Sequence, residues 1–161
     1  MTPPLCCIAA PYADPSSTIR AWHVDRAVLL ARLAMACGYS PVETHTSIAA
    51  GVYGDDSDPA QRAQGMAATA AICRGVLATP GAVLWALLRD DGTASDGTRG
   101  EVDIARKHGN EWDESTWAEW RTIAAQSAPH LRTEWDRLAV RPDAGHRVAA
   151  YAALRAAGVM P

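Results

Sequence analysis

Two short, uninterrupted apolar runs, each ended by a turn and followed by a helix-length segment, restrict this chain more than any other feature. Residues 5–10 (LCCIAA) are apolar throughout and stop at Pro11. Residues 82–88 (AVLWALL) are apolar again and stop at Arg89 and Asp90. Runs of this length without alternation fit strands covered on both faces, as in a parallel sheet. Between them, from Ile19, the period changes. Ile19, Trp22, Ala27, Leu30, Leu33, Ala34 and Cys37 recur at helical spacing, with Arg26 as the polar exception on that face, expected to point along its edge. Gly38 is a natural helix stop, and residues 39–44 read as a second strand. Strand, helix, strand at this spacing is a βαβ unit. The fold class expected is therefore α/β: a small parallel-sheet, flavodoxin- or Rossmann-like three-layer core.

Further along, Asp58 and Pro59 make a cap and first position for a helix running to about Arg74. A helix is expected to begin near Thr98 and stop at Gly109. Residues 110–161 have another texture, with Trp112, Trp117, Trp120 and Trp135. There Asp113 caps a helix over about 114–126, Pro129 breaks it, 131–140 form another, and 148–157 an alanine-rich last one. The expected organisation is a core over 1–109 with a helical extension over 110–161, the tryptophans packing the extension onto the sheet.

Bulk properties exclude several classes. A chain of 161 residues suffices for one domain with its own core. A net charge of -3 offers no footprint for a nucleic acid polymer or an anionic membrane. Cys6, Cys7, Cys37 and Cys73 include no CxxC pair, so no metal site is expected and the thiols read as small buried hydrophobes. The acidic run Asp55, Asp56, Asp58 lacks the glycine and distant glutamate of a calcium loop and reads as a solvated turn. No secretory leader or membrane span is evident, which points to a cytoplasmic protein.

In an open parallel sheet the ligand lies outside the carboxyl ends of the strands. The first strand end delivers Pro11, Tyr12 and Asp14, then Ser16 and Ser17, with Arg20 a turn into the helix. The second delivers Glu43, His45, which either contacts a ligand or closes a loop, and the loop to Asp58. The third delivers Arg89, Asp90, Asp91, Asp96, Gly97, Thr98 and Glu101, with Arg99 beside the last helix start. Glu101 is expected in the first turn of its helix, where backbone N–H groups and the dipole favour its anion. Gly97, Thr98 and Gly100 let a ligand approach that helix start. Each of these residues also has a plain structural reading: Glu101 as a dipole partner, the serines as caps, Arg99 as a solvated cation.

Three stretches taken together resemble the nucleoside 2-deoxyribosyltransferase superfamily, nearest its short phage and bacterial members. They are CIAAPYADP at 7–15, GYSPVETH at 38–45 and DGTRGEVDIARKHG at 96–109. The resemblance implies cleavage or transfer at an N-glycosidic bond of a nucleoside or nucleoside 5′-monophosphate. Glu101 would be the nucleophile at C1′, Tyr12 a hydrogen-bond partner of that carboxylate or of the sugar, and Asp96 the residue that orients the sugar or assists the leaving base, with Asp90 or Asp91 as alternatives. His45 would contact base or phosphate; Ser16, Ser17, Arg20 and Arg99 are the phosphate candidates. It implies no cofactor, and self-association by analogy. The resemblance also implies a strand after the Glu-bearing helix, and NEWDESTWAEWR at 110–121 offers no match to it. Two other readings stay open: a catalytically silent nucleotide-binding module, and an interaction protein that displays residues 112–120 as an apolar patch.

Overall fold

A computed structural model of the chain describes residues 2–44 and 58–142. His45, the acidic loop before Asp58 and the helix expected over 148–157 lie outside the described residues. Four strands, β1 (Leu5–Ala9), β2 (Ser40–Glu43), β3 (Val83–Leu87) and β4 (Glu111–Ser115), form one sheet in the order β2-β1-β3-β4. Every pairing is parallel, with Leu5 opposite Ser40, Cys6 opposite Val83 and Val83 opposite Glu111.

Helices cover both faces. Helices α1 (Ser17–Ala36), α4 (Trp117–Ser127) and α5 (Arg132–Leu138) share one core with Cys6, Ile8, Val83 and Leu87. Helices α2 (Pro59–Leu77) and α3 (Asp96–His108) share the other with Cys7, Ala9, Leu84 and Ala86. Alternate residues of β1 and β3 thus feed opposite cores, which is why those strands carry no polar residue. The molecule is a three-layer α/β/α fold with the flavodoxin-like strand order.

The helix starts follow local capping. Ser16 Oγ accepts the Ile19 N–H at 3.4 Å, and Asp58 accepts the Ala60 N–H at 2.8 Å ahead of Pro59. Ser95 caps α3 by accepting the Thr98 N–H at 3.2 Å, so this helix begins at Asp96 rather than near Thr98. It ends at Gly109, whose φ of 72° is the left-handed conformation that glycine adopts without strain.

The texture change at residue 110 is not a change from sheet to helix. Residues 111–115 form β4, and the helix that Asp113 was expected to cap starts instead after Thr116. There Thr116 and Glu119 bond each other's backbone in a reciprocal capping box. Asn110 secures the new strand by donating from its side-chain amide to Ala82 O at 2.9 Å. The sheet therefore continues past the expected core boundary at 109. Trp117, Trp120 and Trp135 are buried and pack the last helices onto the sheet, whereas Trp112, on edge strand β4, is exposed. Among the described residues no helix is long and apolar enough to cross a membrane.

Candidate active site

The topology fixes where a crevice must open. From β1 the chain crosses one face through α1 to β2. It then returns across the other face through α2 to β3, on the opposite side of β1. The two connections diverge between β1 and β3 and leave a gap outside their carboxyl ends. A cavity of about 430 Å³ occupies that gap, within the usual range for small-molecule sites.

Glu101, Tyr12 and Asp96 all line this one cavity. Glu101 is only 4% exposed. Because α3 begins at Asp96, Glu101 stands in its second turn, not the first, and the dipole acts on it less than the sequence suggested. Helical side chains lean toward the N-terminus, so the Glu101 side chain leans toward the turn that begins α3. Gly97, in that turn, also lines the cavity, and a Cβ there would meet open space. Tyr12 is half-buried, and its neighbour Pro11 is buried. The Asp96 side chain is 76% exposed, which puts it at the rim.

Asp90 lines the cavity and accepts from Arg26 Nη2 at 3.0 Å. Asp91, also at the rim, serves its own loop: its carboxylate accepts from the Thr93 N–H at 2.9 Å and hydroxyl at 2.7 Å. Those two bonds, the hydroxyl's first, hold its carboxyl below the ordinary aspartate range.

Thr98, Arg99, Ser16, Ser17 and Arg20 do not line this cavity. Thr98 is fully buried, its hydroxyl 2.8 Å from that of Ser95. Arg99 is exposed and turns to Asp96 at 3.4 Å and to the Ala94 carbonyl. Ser16 caps α1, Ser17 is exposed, and Arg20 donates to the carbonyls of Asp14 and Pro15 at 2.6 and 3.2 Å. At these positions the described contacts are those of caps and of the surface. Among the described residues no group of three or more His, Cys, Asp or Glu gathers as metal ligands.

The helices supply lining that strand ends alone do not reveal. From α1 come Trp22, His23 and Arg26; from α2 come Arg62, Met66 and Thr69. Arg26 does not point along the helix edge. It is 3% exposed, its guanidinium stacked 4.0 Å from the Trp22 ring and 4.4 Å from the Trp117 ring. An arginine on an otherwise apolar helical face was the one signal in the sequence for this wall of the site.

His23 sits beside it, its ring 5.1 Å from that of Trp22 and its Nδ1 buried with no hydrogen-bond partner among the described residues. Burial, and then the neighbouring Arg26 charge, push its pKa down to about 4, against weaker opposition from Asp14 and Asp90 and with a small push from Arg141. The unfolded chain protonates this ring near pH 6.5, so between about 6.5 and 4 the unfolded state binds more protons than the folded one. Stability contributed by neutral His23 is complete above that window and is lost as pH falls through it. Melting temperatures measured from pH 7 to pH 4 are expected to fall less steeply in His23→Gln than in the wild type. Parallel curves would show that His23 is not the group responsible.

No family model, no curated protein and no solved structure matches this chain.

Proposed function

We propose that the chain cleaves or transfers the N-glycosidic bond of a nucleoside or nucleoside 5′-monophosphate through a covalent ester on Glu101. The observation that carries this reading is that buried Glu101 shares the lining of one cavity with Tyr12 and Asp96. Its carboxylate oxygens are shielded from solvent in that wall, and a carboxylate kept there is costly unless it has a task. In the proposed reaction a Glu101 oxygen attacks C1′ and the C1′–N bond breaks, its electron pair leaving with the base, which then takes a proton. Water, or a second base, attacks C1′ in turn and frees the carboxylate. This is the two-step, retaining logic of glycoside hydrolysis. Tyr12 orients the carboxylate or the sugar by its hydroxyl, and Asp96 or Asp90 holds a sugar hydroxyl at the rim. The interaction-protein reading required residues 112–120 to form an apolar patch, yet Trp117 and Trp120 are buried in the core.

The test is incubation with a panel of nucleosides, deoxynucleosides and their 5′-monophosphates, with and without an acceptor base, followed by chromatography. Release of free base, or appearance of an exchanged nucleoside, is the expected result. Binding without either product would replace this reading by that of a silent nucleotide-binding module.

A further inference from the structure

Little more than one turn of α1 supplies a polar wall of the cavity. Arg26 follows His23 by three residues and Trp22 by four, on one side of the helix. Arg26 is fixed on every side but one. Trp22 and Trp117 stack on its two faces, Nε donates to Leu138 O at 3.2 Å, and Nη2 donates to Asp90 at 3.0 Å. Trp22 Nε1 donates to the same Leu138 carbonyl at 3.1 Å, which locks the stack. Nη1 is the guanidinium nitrogen with no hydrogen bond among the described residues, and Arg26 lines the cavity.

A guanidinium so held has lost its rotamer freedom already, so a ligand that bonds it meets little further entropy cost. Its surroundings select the ligand. Two acidic groups of the lining are already paired, Asp90 with Arg26 and Asp14 with Arg141, each at 3.0 Å, so the choice of what meets Arg26 falls to the uncharged surface beside it. The Trp22 ring, the His23 ring and Met66 supply flat or apolar surface of the kind an aromatic heterocycle needs.

We propose that Arg26, through Nη1 and beside the His23 ring, binds the nucleobase of the substrate at a ring oxygen or unprotonated ring nitrogen and stabilises the charge that base gains on leaving. This rests on the glycosidic-bond reading above. When the C1′–N bond breaks, its electron pair delocalises over the base onto the atom that Nη1 bonds. Arg26 keeps its proton, and the released base is protonated by water. His23, neutral at neutral pH, adds a second polar edge without a second positive charge, so that base preference depends on it.

The experiment measures binding of adenine, guanine, hypoxanthine, cytosine and uracil, and of inorganic phosphate, to the full chain by calorimetry. It compares the wild type with Arg26→Lys, His23→Phe and, as a control outside the cavity, Trp112→Ala. At least one base is expected to bind wild type and Trp112→Ala alike, about tenfold or more weaker to Arg26→Lys, and with no competition from phosphate. Should Arg26→Lys fail to fold, His23→Phe keeps an aromatic ring in place and is expected to change the ranking of the bases severalfold. Absence of base binding to the wild type, unchanged affinity and ranking in both variants, or displacement of the base by phosphate overturns the inference. Arg26-dependent base binding without turnover of any nucleoside would leave the inference standing and sink the glycosidic reading. Turnover whose KM and base preference ignore both substitutions would do the reverse.

Discussion

Glu101→Gln is expected to abolish base release while leaving the protein folded. Glutamine has the same shape, so the packing of α3 beside Val102 and Ala105 is retained. What is lost is the carboxylate oxygen that attacks C1′, and a neutral amide is a poor substitute. For a nucleophile acting with its partners the expected loss in kcat/KM is about a thousandfold or more. The stability change should run the other way. Glu101 is 4% exposed, and burying a charge is costly, so the neutral isostere should melt at the same temperature or higher. A carboxylate kept only for structure predicts the opposite pair: a lower melting temperature and turnover intact. Mass spectrometry of acid-quenched wild type should also find a glycosyl group on Glu101 and none on the variant. Activity within tenfold of wild type in Glu101→Gln would remove it as the nucleophile.

The α/β order was readable because β1 and β3 are buried on both faces, and burial on both faces writes an uninterrupted apolar run. Capping residues marked the start of α1 and α2 for a similar reason: each is a local bond between a side chain and its own helix. β4 left no such mark. Its first four residues, Glu111, Trp112, Asp113 and Glu114, are exposed on the edge of the sheet, so no core demands apolar side chains there. It is held by backbone bonds to β3 and by Asn110, and neither appears as hydrophobic pattern. Acidic residues along an exposed edge also discourage pairing with another chain, which favours the composition that hid the strand.

The site divides along the same line. Tyr12, Asp90, Asp96, Gly97 and Glu101 follow strand ends, and the topology of a parallel sheet gathers strand ends, so the sequence reached them. Trp22, His23, Arg26 and the α2 residues face the cavity because of how two helices lie across the sheet, which no local period records. Ser16, Ser17, Arg20, Thr98 and Arg99 show the converse. They sit at helix starts near the crevice, but a cap hydroxyl or a short-range carbonyl contact already uses each polar group except that of exposed Ser17. Nearness in sequence to a strand end is thus a weaker guide than the bonds a side chain has already made.

Trp120→Ala is expected to be the most destabilising single substitution on the helical side of the fold. Trp120 is 1% exposed, its ring 4.7 Å from that of Trp85 on β3, and its Nε1 donates to Ala86 O at 3.1 Å. The indole therefore joins α4 to the centre of the sheet by area and by a hydrogen bond. Truncation leaves a cavity and an orphaned carbonyl, at a cost of about 3–5 kcal/mol. Against a typical domain stability of about 5–15 kcal/mol that is a drop in melting temperature on the order of 10 °C. Trp120→Phe keeps much of the ring but not the N–H, and should fall between. Trp112→Ala is the control. That ring is 41% exposed on the edge strand, with its N–H on Glu114, and its loss should cost about 0.5 kcal/mol. Urea unfolding of the three variants reads the order directly. Equal, small shifts at both positions would mean that the tryptophans of the last helices do not carry the packing assigned to them, and with it would go the stack that immobilises Arg26 through Trp117.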